Sequence, residues 1–170
     1  DEVGELPLIV QKKFLRALQE KRFRPVGSKQ EVSSNFRVVT ATHRDLQKMA
    51  EKGQFREDLY FRIAPITIEI PPLRDRKTDI PLLVIHYLER KSELFNELSH
   101  EISQDFMEYL YEYNWPGNVR ELLNTIDYAC SDAFQESILF SKHLPDYIRT
   151  FNIQSKIKTP NLSEPEGHLP

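Results

Sequence analysis

Residues 53–83 read GQFREDLYFRIAPITIEIPPLRDRKTDIPLL. Within this stretch, 55–63 has the apolar spacing of a helix, and 66–70 alternates strictly between apolar and polar residues, which predicts a β-strand. The strand ends at Pro71, and the Pro71-Pro72 pair forms a rigid linker. We therefore place a domain boundary at this pair, with an α/β segment before it.

The upstream part of the chain continues the α/β pattern. Residues 7–21 hold apolar side chains at helical spacing, and 36–42 (FRVVTAT) is rich in β-branched residues, which predicts a strand. Between them, 23–35 contains Pro, Gly and three Ser, which predicts a loop or an irregular hairpin. A short helix over 44–51 is stopped by Gly53.

The part of the chain after the proline pair is predicted to be all helical. One helix begins near 79–81, a second is capped by Ser103, a third follows the turn at 114–118, and a short fourth spans 141–148. From about Thr150 the sequence is polar and contains further prolines, which predicts a flexible linker.

Composition and charge exclude several classes of protein. The chain has 170 residues and a formal net charge of −3. Residues 1–72 carry 13 Lys and Arg against 10 Asp and Glu, whereas 73–170 carry 10 against 16. This balance excludes a wholly basic nucleic-acid-binding protein. Cys130 is the single cysteine and cannot form an internal disulfide. No apolar run approaches the roughly 20 residues that a transmembrane helix needs.

Charged groups at a few positions indicate chemistry on phosphates. Asp1 and Glu2 form an acidic pair, Arg56 and Arg62 lie six residues apart, and Arg120 lies in WPGNVREL. The rigid fork of arginine donors binds phosphate oxygens, and acidic groups hold Mg²⁺ and polarise an attacking water. Together these groups suit hydrolysis of a nucleoside triphosphate, although an acidic pair alone is better explained as solvated surface.

Five segments together resemble the AAA+ ATPase domain of sigma-54-dependent transcriptional activators, the bacterial enhancer-binding proteins. They are DEVGELPL, KFLRALQEKRFRPVGS, FRVVTATHRDL, GQFREDLYFRIAPITIEIPPLRDRKTDIPLL and YNWPGNVRELLNTI, and they cover about residues 1–147 in the family's order and spacing. The resemblance implies an α/β fold in 1–72, namely the C-terminal part of an AAA+ P-loop NTPase core with an incomplete parallel sheet. An all-α lid subdomain would follow in 73–148, and 149–170 would be a flexible linker toward a DNA-binding domain.

The resemblance also implies a role for each charged group. Asp1 matches the residue that helps to hold Mg²⁺, and Glu2 matches the carboxylate that activates water. Arg56 and Arg62 match the arginine fingers that reach the ATP site of a neighbouring subunit. Arg120 matches the sensor II arginine, which contacts the nucleotide from the lid. For Arg56 and Arg62 the alternative is a salt bridge with Glu57 or Asp58 on the helix surface. For Arg120 the alternative is an exposed residue at the N-terminus of a helix.

Three further positions are assigned by the resemblance with alternatives left open. Thr42 and His43 fall at sensor I, where the family usually has Thr-Asn. His43 departs from that pattern, and a histidine can change its charge near neutral pH. Two interpretations therefore stay open: this position senses the γ-phosphate, or it simply accepts several polar residues. Ile80 matches a hinge residue that contacts the adenine ring, and core packing explains it equally well.

The sequence contains no G-x-x-x-x-G-K-[ST], and its five glycines are too far apart to build a phosphate-binding loop. By resemblance, that loop and the GAFTGA motif that engages sigma-54 lie upstream. The chain is then expected to be about half of an ATPase domain, without appreciable turnover alone. Residues 1–72 by themselves are expected not to hold the native arrangement, because the central strand of the sheet is missing, whereas the lid can fold by itself.

The parent protein is expected to be a cytoplasmic bacterial enzyme that uses ATP and Mg²⁺. It is expected to assemble with copies of itself into a ring, a hexamer, and to act on the sigma-54 RNA polymerase holoenzyme. It would reach DNA through a domain outside this chain, and it has no membrane partner.

Two other classes of function are compatible with parts of the sequence. Residues 103–131 are predicted to be two helices joined by a tight turn, as in a DNA-binding module. However, 101–132 carries seven acidic residues and one arginine, a charge that repels DNA phosphates. The third possibility is a structural helical interaction domain in which the arginines are incidental.

Overall fold

The structure is a computed structural model that describes residues 1–95, 100–134 and 136–151. The chain divides into two compact units, Asp1–Glu69 and Ile70–Pro170. Within the described ranges, no helix has the length and apolar character needed to cross a membrane.

The first unit contains three helices and one small hairpin. Helix α1 is Leu8–Glu20, and it leads into strand β1 (Arg22–Phe23), which pairs antiparallel with β2 (Val32–Ser33). Helices α2 (Leu46–Glu51) and α3 (Glu57–Ile63) follow. The helices and the irregular hairpin predicted for this unit are therefore confirmed.

The core of the first unit lies between α1, the segment before it and α3. Helix α1 is amphipathic, and one stripe of its side chains is buried where α1 contacts α3. Asp45 caps α2 by accepting a hydrogen bond from the Lys48 amide at 3.0 Å. The buried apolar side chains are Val3, Leu15, Leu18, Phe55 and Leu59.

The strands predicted at 36–42 and 66–70 are not formed, and this prediction was wrong. A strand is defined by hydrogen bonds to a neighbouring strand, and neither segment has such a neighbour among the described residues. Phe36 and Val38 still pack against the core of the first unit. The three isoleucines of 66–70 are at least 75% exposed. The predicted parallel sheet is therefore absent from the described part of the first unit.

The second unit is mainly helical. Helix α4 is Ile80–Phe95, α5 is Gln104–Glu112 and α6 is Asn118–Ala133. Two short strands, β3 (Glu101–Ile102) and β4 (Ile138–Leu139), pair in parallel and hold the segments before α5 and after α6 together. The three predicted helices are confirmed, whereas no strand was predicted in this unit.

The segment after β4 differs from the single short helix predicted at 141–148. A 3-10 turn covers Ser141–His143, and a separate helical segment covers 146–151. Pro145 separates them because proline lacks the amide hydrogen that a continuous helix needs. The remainder of the predicted linker, 152–170, lies outside the described residues.

The core of the second unit is built around Trp115. This side chain is fully buried, and its indole N–H donates to the Leu110 carbonyl at 2.8 Å, so the one polar group of the ring is satisfied. Ser103 caps α5 as predicted. The buried members of the cluster are Leu73, Ile80, Val84, Leu88, Phe106, Leu110, Trp115, Leu122, Ile126, Ala129, Cys130, Ala133, Leu139, Leu144 and Ile148.

Candidate functional site

The first five residues are held against the segment 41–44. The Val3 amide donates to the Ala41 carbonyl at 3.1 Å. Arg44 reaches back from the other segment, donating to the Gly4 carbonyl at 3.4 Å and pairing with the Glu5 carboxylate at 2.6 Å. These contacts fix the backbone that carries the acidic pair at the start of the chain.

Gly4 allows the two segments to approach each other. A Cβ at this position would lie 2.8 Å from Thr42 Oγ1 and 3.2 Å from Arg44 Cβ, closer than ordinary contact distances. Thr42 Oγ1 also accepts a hydrogen bond from the Arg44 amide at 3.1 Å, which fixes the turn at this point. The requirement for glycine is therefore one of space rather than of backbone dihedral.

This arrangement places Glu2 beside His43. Glu2 Oε2 and His43 Nδ1 are 3.0 Å apart, and the two side chains are 52% and 69% exposed. Glu2 has a φ of 52°, an uncommon conformation for a residue other than glycine. The structure thus brings together three of the residues singled out in the sequence, Glu2, Thr42 and His43.

Asp1 is adjacent, and its Oδ1 accepts a hydrogen bond from the Glu2 amide at 3.1 Å. No group of three or more His, Cys, Asp or Glu in the described ranges could hold a metal ion. Asp1 and Glu2 supply two carboxylates. This number suits Mg²⁺ in a phosphoryl-transfer site, where waters and substrate phosphates provide the other ligands.

Arg56 is the N-cap residue of α3 and is already engaged. Its Nε and one terminal nitrogen donate to the two oxygens of Asp58 at 3.0 and 2.6 Å. This bidentate hydrogen bond raises the pKa of Arg56 and lowers the pKa of Asp58. The Arg56 amide donates to Gln11 Oε1 at 2.8 Å, so the backbone here is fixed as well.

Arg62 lies in the last turn of the same helix and is exposed. Its side chain makes no hydrogen bond or ion pair within the described part of the chain. Of the two arginines predicted as fingers, Arg56 therefore has an intramolecular partner and Arg62 is available to an external anion.

Sequence reasoning missed Gln11, which is fully buried in α1. Its Nε2 donates to the Leu6 carbonyl at 2.7 Å and to the Gln54 carbonyl at 3.3 Å, in addition to the bond from the Arg56 amide. A signal was available, because Gln11 lies four residues before Leu15 on the buried stripe of α1.

In the second unit, Arg120 is positioned by the turn before α6. Glu121 reaches back to accept from the Gly117 amide at 2.7 Å, and Tyr113 donates to the same carboxylate at 3.3 Å. Asn118 accepts from the Leu73 amide at 2.8 Å, which attaches the start of α6 to the first turn of this unit.

Arg120 itself is exposed and makes no hydrogen bond within the described ranges. It lies at a groove of about 480 Å³ that Tyr128 and Tyr147 also line. Ile80 is fully buried in the core of the same unit, which is the packing role that the sequence also allowed. Its contact with adenine stays a prediction.

Two family descriptions together cover most of the chain. The sigma-54 interaction domain matches residues 1–69, and the AAA+ ATPase lid domain matches residues 74–160. The chain belongs to the sigma-54 activator family of AAA+ proteins. The family predicted from the five sequence segments is therefore confirmed.

Curated relatives of this family are transcription regulators. The chain is 40% identical over 162 residues to the transcriptional regulatory protein GlrR of Escherichia coli K12, covering 89% of this chain and 36% of GlrR. It is 44% identical over 149 residues to the regulatory protein AtoC of the same strain, covering 88% of this chain and 32% of AtoC. The chain thus spans about a third of the length of these relatives.

Solved structures of the family show the same fold. NtrX from Brucella abortus in complex with ATP has a TM-score of 0.78 and 30% identity, over 89% of this chain and 35% of NtrX. The ADP complex of NtrX has a TM-score of 0.75 and 31% identity, over 87% and 35%. The predicted fold class, the C-terminal part of an AAA+ core followed by a helical lid, is confirmed.

Proposed function

We propose that this chain supplies part of an ATP-hydrolysing motor that remodels the sigma-54 RNA polymerase holoenzyme so that promoter DNA can open. The observation that carries the proposal is the placement of Glu2. Its carboxylate is exposed and contacts His43 through Oε2, so that Oε1 stays available to a water molecule. Membership of the sigma-54 activator family supports ATP as the substrate.

In this proposal Glu2 accepts a proton from the water that attacks the γ-phosphate. Asp1 is the carboxylate closest in sequence that can help to hold Mg²⁺, and when bound the ion neutralises charge on the phosphates. Thr42 and His43 lie at the same place and would face the γ-phosphate. The first unit therefore supplies the carboxylates of the proposed site.

The arginines supply the positive charges that would contact the phosphates. Arg62 is free to stabilise charge on the transferred phosphoryl group of a neighbouring subunit. Arg56 must exchange Asp58 for phosphate before it can do the same. Arg120 would contact the nucleotide from the lid, and Ile80 would lie near the adenine ring.

We propose that this chain is part of a longer protein and that this protein assembles into a ring, a hexamer. Arginine fingers act on the nucleotide of a neighbouring subunit, so hydrolysis requires assembly. The relatives are about three times as long as this chain, and the 170 residues contain no glycine-rich phosphate loop. We therefore propose that the chain by itself has no appreciable turnover and that DNA is reached through another domain.

The test uses a polypeptide of the relatives' length that contains this chain. ATP hydrolysis and ATP-dependent opening of a sigma-54 promoter are measured for the wild type, Glu2→Gln and Arg62→Ala. Loss of the general base should lower the hydrolysis rate by about 10²–10⁴, and loss of the finger by about 10³–10⁵. ATP binding by Glu2→Gln should be retained.

Glu51→Gln is the matched control, because Glu51 is an exposed carboxylate at the end of α2, away from the acidic pair in sequence. It should hydrolyse ATP at the wild-type rate. Wild-type rates in both Glu2→Gln and Arg62→Ala would refute the assignment of the site.

A further inference from the structure

The surface formed by α1 and the β1–β2 hairpin has a strong excess of positive charge. Residues 12–37 hold eight of the chain's 23 Lys and Arg, but only two of its 26 Asp and Glu. The whole chain has a formal net charge of −3, so the excess is local to this segment. All eight cations are exposed, which is the electrostatic pattern of a surface that binds a polyanion. They are Lys12, Lys13, Arg16, Lys21, Arg22, Arg24, Lys29 and Arg37.

Hydrogen bonds at the end of α1 join the helix and the hairpin into one surface. Lys21 is the C-cap of α1, and β1 follows it directly. The Lys21 carbonyl accepts from the Ser34 amide at 2.9 Å, and Lys21 Nζ donates to the Phe36 carbonyl at 3.2 Å. The segment after β2 is thereby held at the end of α1, together with Arg37, which follows Phe36.

The cations of α1 lie on the solvent side of the helix. Lys12, Lys13 and Arg16 are exposed, whereas another stripe of the same helix is buried. Arg16 donates to Glu20 at 2.8 Å, and this hydrogen bond, together with the charges of Glu20 and Glu31, raises the pKa of Arg16. Because Glu31 directly precedes β2, its effect places the hairpin near the charged side of α1.

Six of the eight cations have no partner within the described part of the chain. Arg16 is paired with Glu20, and Lys21 bonds to the Phe36 carbonyl with its ammonium 5.3 Å from the centre of the Phe36 ring. The other six side chains make no hydrogen bond or ion pair among the described residues. Charges of one sign repel one another, so an unpaired cluster opposes folding. An anion outside the chain would relieve this repulsion.

The composition of this surface favours a nucleic acid over an acidic protein. Lysine is depleted at protein–protein interfaces, whereas protein–DNA interfaces are much more positively charged, and half of the eight cations are lysines. The exposed apolar side chains of the hairpin do not form a continuous patch in the sequence. Phe23 lies between Arg22 and Arg24, and a second, Val26, is flanked by Pro and Gly.

We propose that α1 and the β1–β2 hairpin contact the phosphate backbone of duplex DNA without recognising its sequence. Phosphate contacts fix the position and orientation of a protein on a duplex, whereas base contacts supply specificity. The inference goes beyond the proposed function, in which DNA is reached through another domain. Here the first unit itself contacts the duplex, and this contact is independent of ATP hydrolysis.

The first experiment measures binding of the 170-residue chain to a fluorescently labelled duplex by anisotropy. The duplex has about 20 base pairs, and KCl is varied from about 50 to 200 mM. If three to six cations each neutralise one phosphate, log K plotted against log salt concentration should have a slope of about −3 to −5. Kd should then rise roughly 60- to 1,000-fold over this range. No binding at the lowest salt concentration, or a slope near zero, would overturn the proposal.

The second experiment assigns the binding to this surface. Lys13→Gln removes an unpaired cation from α1, and Arg24→Gln removes one from the hairpin. Each should weaken binding and reduce the magnitude of the salt slope by about 0.9. Arg90→Gln is the matched control, because Arg90 is an exposed arginine of α4 in the second unit, and it should change neither quantity. Wild-type affinity and slope in both Lys13→Gln and Arg24→Gln would overturn the proposal.

A competition experiment separates DNA from an acidic protein. Duplex DNA carries one negative charge per about 1.7 Å of its axis, whereas an extended polyglutamate carries one per about 3.3 Å. Polyglutamate should therefore release fewer counterions and displace the duplex only at a much higher concentration of charge. Displacement at an equal concentration of charge would overturn the assignment to DNA. None of these measurements involves ATP, so their failure would leave the proposed function intact.

Discussion

Replacing Gln11 with leucine should destabilise the first unit, although leucine has a similar volume and suits a buried helix position. Gln11 is fully buried and makes three hydrogen bonds, one to the Leu6 carbonyl before α1 and two with Gln54 and Arg56 just before α3. The two short ones, at 2.7 Å to the Leu6 carbonyl and 2.8 Å from the Arg56 amide, are the stronger. Gln11→Leu leaves both backbone groups without their partner.

The size of the effect follows from those two groups. A buried polar group that loses its partner costs about 1–3 kcal/mol, and the added apolar burial of leucine offsets part of this. We expect a loss of about 2–4 kcal/mol in the free energy of unfolding. Because about 1.4 kcal/mol corresponds to a factor of ten, protection of α1 and α3 amides against hydrogen exchange should fall by roughly 30- to 700-fold.

Hydrogen exchange followed by NMR is the assay, since it reports each amide separately. Gln19→Leu is the matched control, because Gln19 is an exposed glutamine of the same helix. It should leave protection within a few-fold of the wild type, since surface substitutions usually change stability by less than about 0.5 kcal/mol. Equal protection in Gln11→Leu and Gln19→Leu would refute the reasoning.

Two further predictions concern the second unit. Burial and the nearby Asp127 raise the pKa of Tyr87 to about 12, so its stabilising effect is complete below about pH 10 and is lost as the pH rises to 12. The stability difference between wild type and Tyr87→Phe in urea should therefore shrink over that range, and a constant difference would contradict it. Gly117→Ala puts a Cβ 2.7 Å from Glu121 Cβ, and this overlap should lower the free energy of unfolding by about 1–3 kcal/mol. Thermal unfolding followed by Trp115 fluorescence measures the change, and an unchanged unfolding curve would contradict the overlap.

The helices could be predicted from the sequence because their signal is local. Apolar spacing in α1, α4 and α6 reports the buried face of each helix directly, and caps such as Ser103 mark the ends. Strands differ in this respect, because their hydrogen bonds go to residues distant in sequence. The segment 66–70 has the alternation of a strand without a partner in the described chain, so pattern and structure disagree there.

The candidate site was predicted through residue identity rather than through periodicity. Glu2 and His43 are 41 positions apart, and only the family resemblance placed them in one site before the structure did. Of the partners that hold the site, Asp58 was predicted as a salt-bridge alternative for the arginines, and it does pair with Arg56. Gln11 was missed because one polar residue on an apolar stripe suggests a tolerated exception.

The two proposed arginine fingers are therefore not equivalent in this chain. Arg56 is held at its amide by Gln11 and at its guanidinium by both oxygens of Asp58, so contact with phosphate requires the loss of a bidentate ion pair. Arg62 has no such cost within the described residues, because it is exposed and unpaired. Arg56 is the N-cap of α3 and is held by a buried glutamine, and Arg62 lies in the last turn of the same short helix, so the position of α3 determines where Arg62 is presented. Packing between α1 and α3 is thus the physical link from the core of the first unit to its proposed chemistry.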